Sequence, residues 1–256
     1  MQNQTRIVIE NVMPQLDGGV NPIKRIVNQN VNVIADVFSD GHDIIECCVK
    51  FKNEKDKKWQ EVRMEPTVND SWNASFKVEK QGYYTFFVEG WVDYALNWQH
   101  GTLRKIQDNQ YVKSELLEGA EYVKAILDEV DSHEKDYLNT LIHYFTTEHE
   151  YENAIREASS PHLNYLFKKH PKRFLENKSL DLKVYVDRKK ALFSTWYEFF
   201  PRSASAEEGK HGTFKDCERL LPRVASMGFD TLYFPPIHPI GEVKKKKKNN
   251  ATNAEP

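Results

Sequence analysis

A short stretch near the carboxyl end of the chain constrains its fold more than any other. Residues 192–200 are apolar and aromatic, and Pro201 ends this predicted strand because proline lacks the amide hydrogen that a ladder needs. Thr213 is a typical helix N-cap, and apolar side chains follow it at helical spacing. Gly228 suits the left-handed residue that ends many helices, and residues 230–234 form a second apolar run. This order predicts a parallel β-α-β unit.

Such a unit begins both dinucleotide-binding sheets and (β/α)8 barrels. No Gly-x-Gly-x-x-Gly follows the first strand, which disfavours a dinucleotide site. A barrel needs eight strands, whereas the pattern here supplies two before the polar residues 241–256. Two parallel strands and one helix cannot cover both faces of a sheet. We therefore expect a piece of a longer protein, with Leu232 and Phe234 partly exposed.

The amino-terminal part of the chain has the pattern of β-structure. Val31, Val33, Ala35 and Val37 alternate with other residues, so one face of this strand is small and apolar. Further short apolar runs, separated by turn residues, continue to about residue 107. Short strands at even spacing predict an antiparallel sandwich of immunoglobulin type.

A helical pattern follows, and it predicts a small bundle. Apolar residues recur at helical spacing in four segments, and two prolines punctuate the later ones. Residues 182–186 then alternate as a last sandwich strand. The predicted domains are a β-sandwich over residues 1–110, an inserted bundle over 111–180, the last sandwich strand over 181–188 and an incomplete barrel over 189–256.

Composition excludes several classes of protein. The 256 residues are 29% charged and 39% hydrophobic, with a formal net charge of −2, so no field attracts nucleic acid or a membrane. The amino terminus lacks the basic and apolar regions of a signal peptide, and the odd cysteine count (Cys47, Cys48 and Cys217) does not suggest a disulfide framework. A reducing cytoplasm is the simplest expectation. No Cys/His spacing resembles a zinc site.

Several motifs resemble one family. The segments WYEFFPRS (196–203) and MGFDTLYFPPIHPIG (227–241) resemble the start of the catalytic barrel in the α-amylase superfamily, glycoside hydrolase family 13. The segments ADVFSDGHD (35–43) and ELLEGAEYV (115–123) are similar to the amino-terminal half of the α-1,4-glucan:maltose-1-phosphate maltosyltransferases. The resemblance implies a sandwich domain that carries the bundle as an insertion, followed by a barrel.

The resemblance also implies an activity. Members move maltosyl units from α-maltose 1-phosphate to the non-reducing end of α-1,4-glucans, with retention and release of phosphate. Such transfer needs two carboxyl groups that flank the anomeric carbon. In the family these follow the fourth and fifth barrel strands, which would lie beyond Pro256, so we assign no catalytic pair here and expect the chain alone to be inactive. The family further implies a homodimer, and no metal or organic cofactor.

Two residues are candidates for substrate binding. In the family, the loop after the second barrel strand presents a basic residue to the donor phosphate. Lys246 matches that position within the lysine run 244–248, although Lys247 replaces the family's glycine. A solvated basic loop is the alternative. His238 lies at the carboxyl end of the second strand, where it either contacts a sugar hydroxyl or packs between prolines.

Other side chains have structural interpretations. Glu198 is predicted to be a polar structural residue, and Arg202, near Tyr197, to hold a neighbouring loop. Trp72 and Trp91 fit a sandwich core, while Trp98 is either core or a platform for sugar. Three further carboxylates are expected to be solvated: Glu207, Glu208 and Asp216.

Two alternative functions stay open. The chain is either a non-catalytic glucan-binding or dimerisation module, or part of another α-amylase-type enzyme such as a branching or trehalose-forming one. The two upstream motifs favour the maltosyltransferase over these.

Overall fold

The structure, a computed structural model, describes residues 5–238. The chain divides into two compact units, Met1–Asp187 and Arg188–Pro256. Each unit has its own arrangement of strands. Among the described residues, no helix is both long and apolar enough to cross a lipid bilayer.

The first unit contains two β-sheets. In chain order its strands are β1 (Ile7–Met13), β2 (Ile23–Ile26), β3 (Asn30–Ser39), β4 (Ile45–Asn53), β5 (Gln60–Arg63), β6 (Glu65–Pro66), β7 (Ser71–Lys77), β8 (Gly82–Val92), β9 (Phe174–Lys178) and β10 (Leu182–Asp187). One sheet has the order β1-β3-β7-β6, and the other β2-β10-β8-β4-β5 with β9 also paired to β8. Neighbouring strands are antiparallel except for β2 and β10, which run parallel.

The two sheets share one hydrophobic core. The four alternating residues of β3 (Val31, Val33, Ala35 and Val37) are all fully buried, which confirms the predicted apolar face. From the other sheet, Phe86 and Val88 point into the same core. The rings of Phe51 and Phe76 stack with centroids 4.2 Å apart. Burial of this apolar surface is the main force that holds the sheets together.

Five helices form a second core within the same unit. They are α1 (Tyr94–Gln107), α2 (Lys113–Ile126), α3 (Ser132–Thr146), α4 (Tyr151–Ala158) and α5 (Pro161–Lys169). The faces predicted for α2 to α5 are buried together, with Leu116, Leu141, Phe145 and Leu163 fully inaccessible. Trp98 of α1 packs among them, and its indole Nε1–H donates to the Glu115 carbonyl at 2.6 Å. The structure therefore confirms a helical bundle.

The predicted boundaries of this bundle were wrong at both ends. Residues 94–107 were predicted to be β-structure, whereas they form α1. Its buried side chains include the polar Gln99 and Thr102, so the helical period is hidden from an apolar pattern. At the far end, Phe174–Lys178 is a strand rather than part of the bundle. Val92 of β8 pairs with Phe174 of β9, so the bundle leaves and re-enters the sheet at neighbouring positions.

Asp93 starts α1 and carries a prediction about pH. Its carboxylate accepts a 3.0 Å hydrogen bond from the Leu96 amide, which caps the helix. Burial raises the pKa of the Asp93 carboxyl because the charged form loses water, although the Leu96 amide partly offsets this. A carboxyl with a raised folded pKa destabilises the fold while it is ionised. That cost disappears as the pH falls from the raised pKa to below the ordinary value of 3.8.

We expect Asp93→Asn to be at least as stable as the parent at neutral pH. The amide still accepts from Leu96 but cannot ionise, so the dependence of unfolding free energy on pH above the ordinary pKa should flatten. Asp93→Ala removes the cap and should cost about 1 kcal/mol. Urea unfolding at several pH values measures both effects. An Asn variant as unstable as the Ala variant would show that the cap needs the charge.

The second unit is built around two parallel strands. Its described elements include β11 (Trp196–Glu198), a 3₁₀ turn (Pro201–Ala204), α6 (Phe214–Ser226) and β12 (Thr231–Tyr233). Tyr197 pairs with Leu232, and the register confirms the predicted parallel β-α-β unit. Both strands are shorter than predicted because the ladder joins only three residue pairs. Gly228 ends α6 with φ +83°, as predicted.

Candidate functional site

A cavity of about 460 Å³ lies in the second unit at the carboxyl ends of β11 and β12. Its walls come from the 3₁₀ turn after β11, from the start of α6 and from the segment after β12. The lining residues are Phe200, Pro201, Arg202, Gly212, Thr213, Phe214, Pro235, Pro236, Ile237 and His238. Both parallel strands end at the same edge of the small sheet, which brings these three segments together.

Gly212 sets the shape of one wall. Its amide donates to the Arg202 carbonyl at 2.8 Å, which holds the segment before α6 against the 3₁₀ turn. A Cβ at this position would lie 2.3 Å from the Pro201 carbonyl oxygen and 2.7 Å from the Ser205 amide nitrogen. Since both atoms belong to the backbone, a side chain here cannot be accommodated by a rotamer change.

The amino terminus of α6 is capped by the carboxylate of Asp216, in the first turn of the same helix. Oδ2 of Asp216 accepts from the Thr213 backbone amide at 2.7 Å and from the Thr213 hydroxyl at 2.8 Å. These hydrogen bonds hold the pKa of Asp216 below its ordinary value. An ionised carboxylate offsets the positive end of the helix dipole. The helix start therefore contributes the wall of the cavity rather than a site for an anion.

Two nitrogen-bearing side chains that line the cavity, those of Arg202 and His238, have no hydrogen-bond partner in the described part of the chain. The guanidinium of Arg202 and the imidazole of His238 form no hydrogen bond or ion pair with any residue between 5 and 238. Phe200 and Phe214 add exposed rings, with 60% and 55% of their surface accessible. Flat rings and hydrogen-bond donors together suit a hydroxylated ligand that carries negative charge.

The described lining lacks the chemistry for glycosyl transfer. None of the lining residues between 5 and 238 is a carboxylate. Retaining transfer requires one carboxylate to attack the anomeric carbon and a carboxylic acid to protonate the leaving oxygen. The described lining therefore offers aromatic rings and hydrogen-bond donors to a ligand, and no carboxylate.

Of the two residues predicted to bind substrate, His238 and Lys246, only His238 falls within the described residues. His238 lies on the cavity wall, and Lys246 falls outside the described residues. Arg202 also lines the cavity, and its side chain makes no contact of the kind predicted with a neighbouring loop in the described range. Tyr197 is half-buried against Phe229, with ring centroids 5.1 Å apart.

The structure also gives the positions of Glu198, predicted to be structural, of the carboxylates predicted to be solvated, and of the tryptophans. Glu198 and Glu208 are exposed, and Glu207 pairs with Lys210 at 2.9 Å on the surface. Three of the tryptophans are buried: Trp72, Trp91 and Trp98 are 8%, 0% and 6% exposed. Trp59 is 39% exposed, but the Lys52 ammonium lies 4.7 Å from its ring centroid.

Sequence reasoning missed three residues that shape the cavity: Phe200, Gly212 and Phe214. Their position in the sequence could have identified them as cavity residues. Phe200 ends the first predicted strand, and Gly212 precedes the predicted N-cap Thr213. The carboxyl ends of strands in α/β units are where ligands bind. Nothing in the local sequence, however, indicates that Gly212 approaches the Pro201 carbonyl.

Comparison with known proteins identifies a family that matches most of the chain. A family model described as "Alpha-1,4-glucan:maltose-1-phosphate maltosyltransferase, domain N/S" matches residues 5–188. Curated relatives called α-1,4-glucan:maltose-1-phosphate maltosyltransferase include that of Methylacidiphilum infernorum, 41% identical over 258 residues and 100% of this chain. Those of Chlorobaculum tepidum and Myxococcus xanthus are 43% and 36% identical over 98% and 97% of this chain. The chain spans 38% of the length of each of these three relatives.

Proposed function

The chain belongs to the α-1,4-glucan:maltose-1-phosphate maltosyltransferase family, and on this premise we propose that it is the amino-terminal portion of such an enzyme. The whole enzyme moves maltosyl units from α-maltose 1-phosphate to the non-reducing end of α-1,4-glucans. The transfer proceeds with retention and releases phosphate. The observation that carries the proposal is the match across nearly the whole chain to relatives of that name.

The two units have different roles in this proposal. The first is an immunoglobulin-like sandwich that carries the bundle as an insertion, which its shared two-sheet core and the Val92–Phe174 pairing support. The second is the start of a (β/α)8 barrel, which the parallel pair β11 and β12 supports. Exposed Trp196 and Phe200 would then be covered by further strands of the barrel.

The cavity in the second unit would form part of the donor site. Barrel enzymes build their sites at the carboxyl ends of the strands, and this cavity lies at that end of both strands. We propose that His238 and Arg202 donate hydrogen bonds to the donor, and that Lys246 faces its phosphate. The catalytic Asp and Glu would lie in the remainder of the enzyme, so the 256-residue chain alone is expected to be inactive.

Two further properties of the family belong to the proposal. One is assembly as a homodimer, for which the outer face of the four-stranded sheet offers exposed Val8, Met13 and Ile34. Analytical ultracentrifugation measures this directly. The other is a cytoplasmic location, which suits the three unpaired cysteines.

The test is phosphate release from α-maltose 1-phosphate in the presence of a maltooligosaccharide. The protein made from the complete reading frame should release phosphate and lengthen the acceptor by two glucose units. The 256-residue chain, assayed in parallel, should release none. Turnover by the short chain would show that it contains the reacting carboxylates, and no turnover by the complete protein would refute the proposed activity.

A variant of Gly212 tests the place of the cavity in that activity. In the complete enzyme, Gly212→Ala forces the wall away from the Pro201 carbonyl, and we expect kcat/KM for α-maltose 1-phosphate to fall about tenfold or more. Ser203→Ala is the matched control, because it changes an exposed side chain in the same 3₁₀ turn. Equal activity of both variants would place the donor site away from this cavity.

A further inference from the structure

A second cavity lies on the helical bundle of the first unit. Its volume is about 290 Å³, and it is formed by the end of α1, the loop to α2 and the start of α4. The lining residues are Ile106, Asn109, Gln110, Tyr111, Tyr151 and Ile155. This volume is at the lower end of the range for small-molecule sites, which suits one sugar unit rather than a large ligand.

Tyr111 is an exposed aromatic ring that is nevertheless held in place. It is 70% exposed, yet it stacks on Tyr151 with ring centroids 5.0 Å apart and an angle of 26° between the planes. Tyr151 is itself fixed, because its hydroxyl accepts a 3.1 Å hydrogen bond from the Val112 amide. A fixed ring with most of its surface in water provides a flat platform, and a ligand that stacks on it pays little entropy to order it.

The polar groups beside this platform are available for a ligand. Asn109 and Gln110 are exposed, and their side-chain amides have no hydrogen-bond partner between residues 5 and 238. Their backbone is fixed, since the Asn109 amide donates to Ile106 and the Gln110 amide donates to Lys105, at 3.0 and 2.9 Å. A primary amide both donates and accepts, as a sugar hydroxyl does.

The cavity also lacks charge. None of its described lining residues is an aspartate, glutamate, lysine, arginine or histidine, so the lining offers no charged side chain to a phosphate or a cation. These features together suit a neutral sugar ring. They are the exposed Tyr111 ring, the side-chain amides of Asn109 and Gln110, and an uncharged, partly apolar wall. The apolar face of the sugar stacks on the ring while its hydroxyl edge meets the amides.

We propose that this cavity binds a glucosyl unit of an α-1,4-glucan, and so anchors the polymer on the bundle. The identity of the sugar rests on the proposed function, because the polymer named for the relatives is α-1,4-glucan. The platform belongs to the first unit, and its described lining contains no carboxylate for glycosyl transfer. It raises the local concentration of acceptor chains without taking part in the reaction.

The experiment is a calorimetric titration of the 256-residue chain with maltoheptaose. Saturable binding is expected for the parent, and Tyr111→Ala should weaken it about tenfold or more. Tyr111→Trp keeps a stacking surface and should bind nearly as well as the parent. Tyr165→Ala is the matched control, because it removes a 54% exposed tyrosine from α5 of the same bundle. The unfolding midpoint of each variant checks that the bundle is intact.

Asn109→Gly provides a second variant that keeps the backbone. Asn109 has φ +56°, which glycine adopts without strain, so the change removes the amide alone. Several-fold weaker binding is expected, and it keeps the proposal testable if Tyr111→Ala does not fold.

The outcomes separate this proposal from the proposed function. Binding that is unchanged in Tyr111→Ala, or absent in the parent, overturns the glucan platform while donor turnover by the complete enzyme stands unaffected. Binding lost in His238→Ala but kept in Tyr111→Ala also overturns it and places the sugar in the second unit. Conversely, loss of binding in Tyr111→Ala alone supports the platform even if the complete enzyme uses a different donor.

Discussion

Replacing Gly119 by alanine is expected to lower the free energy of unfolding by about 3 kcal/mol. Gly119 lies in the middle of α2, where its Cα faces the indole of Trp98. A Cβ at this position would lie 2.0 Å from Cζ2 of that ring. The ring cannot turn away, because its Nε1–H donates to the Glu115 carbonyl and the rings of Phe145 and Phe167 pack beside it.

The matched control is Gly101→Ala in α1. No atom lies within 4 Å of the Cβ that it would add. Alanine is favoured over glycine inside a helix, so this variant should gain about 0.5 to 1 kcal/mol. Urea unfolding followed by far-ultraviolet circular dichroism measures both changes. If Gly119→Ala is as stable as Gly101→Ala, the close packing of α2 on Trp98 is refuted.

Arg173→Met is the second change with a large expected effect, a loss of about 3 kcal/mol. Arg173 precedes β9, and its guanidinium lies 4.3 Å from the ring centroid of Trp91. It also donates to both oxygens of Glu61, at 2.9 and 2.8 Å, and contacts the Glu89 carboxylate. The side chains of Arg173 and Glu89 are only 17% and 12% exposed.

Removing Arg173 leaves a nearly buried carboxylate with less compensation. Glu89 would keep only Lys50, at 2.7 Å, among its present ion-pair partners in the described residues. A buried charge that loses a partner is costly, because water cannot replace the lost interaction. The planar guanidinium also stacks on Trp91, so Arg173→Lys should recover only part of the stability.

Lys172→Met is the matched control for this prediction. Lys172 adjoins Arg173 and pairs with Glu129, but both side chains are more exposed, at 35% and 44%. Exposed pairs contribute little, so a loss of less than about 1 kcal/mol is expected. The same urea measurement applies. Equal losses for the two variants would show that the Arg173 network is screened by solvent and contributes no more than a surface pair.

The sequence predicted those parts of the fold in which pattern and burial agree. The alternation in β3 and the apolar faces of α2 to α5 were identified because each buries hydrophobic side chains at one period. Helix α1 was missed because Gln99 is buried by bonding the Ala158 and Ser160 carbonyls, at 3.1 and 3.2 Å. A buried polar side chain with distant partners has no local signature.

In the candidate sites, too, features with a local sequence pattern were predictable and features that depend on distant contacts were not. The position of His238 on the cavity wall was predictable, because the carboxyl ends of parallel strands lie at one edge of a sheet. The role of Gly212 was not, since the Pro201 carbonyl that excludes a side chain is brought near by the turn between them. The Arg173 network joins positions 112 and 84 residues apart in the chain, so it appears only after folding.

The pairing of Val92 with Phe174 has a consequence for how this architecture tolerates change. This strand pairing holds the residue before the bundle next to the residue after it. The helical segment is therefore a long connection whose two ends are already paired in one sheet. The entropy cost of closing such a connection depends only weakly on its length. The register of the strands is set by the residue pairs on either side of it. A change in the length of this helical segment is therefore expected to leave the register of the two sheets unchanged. The joined ends thus make the bundle a segment in which we expect insertions and deletions to be tolerated.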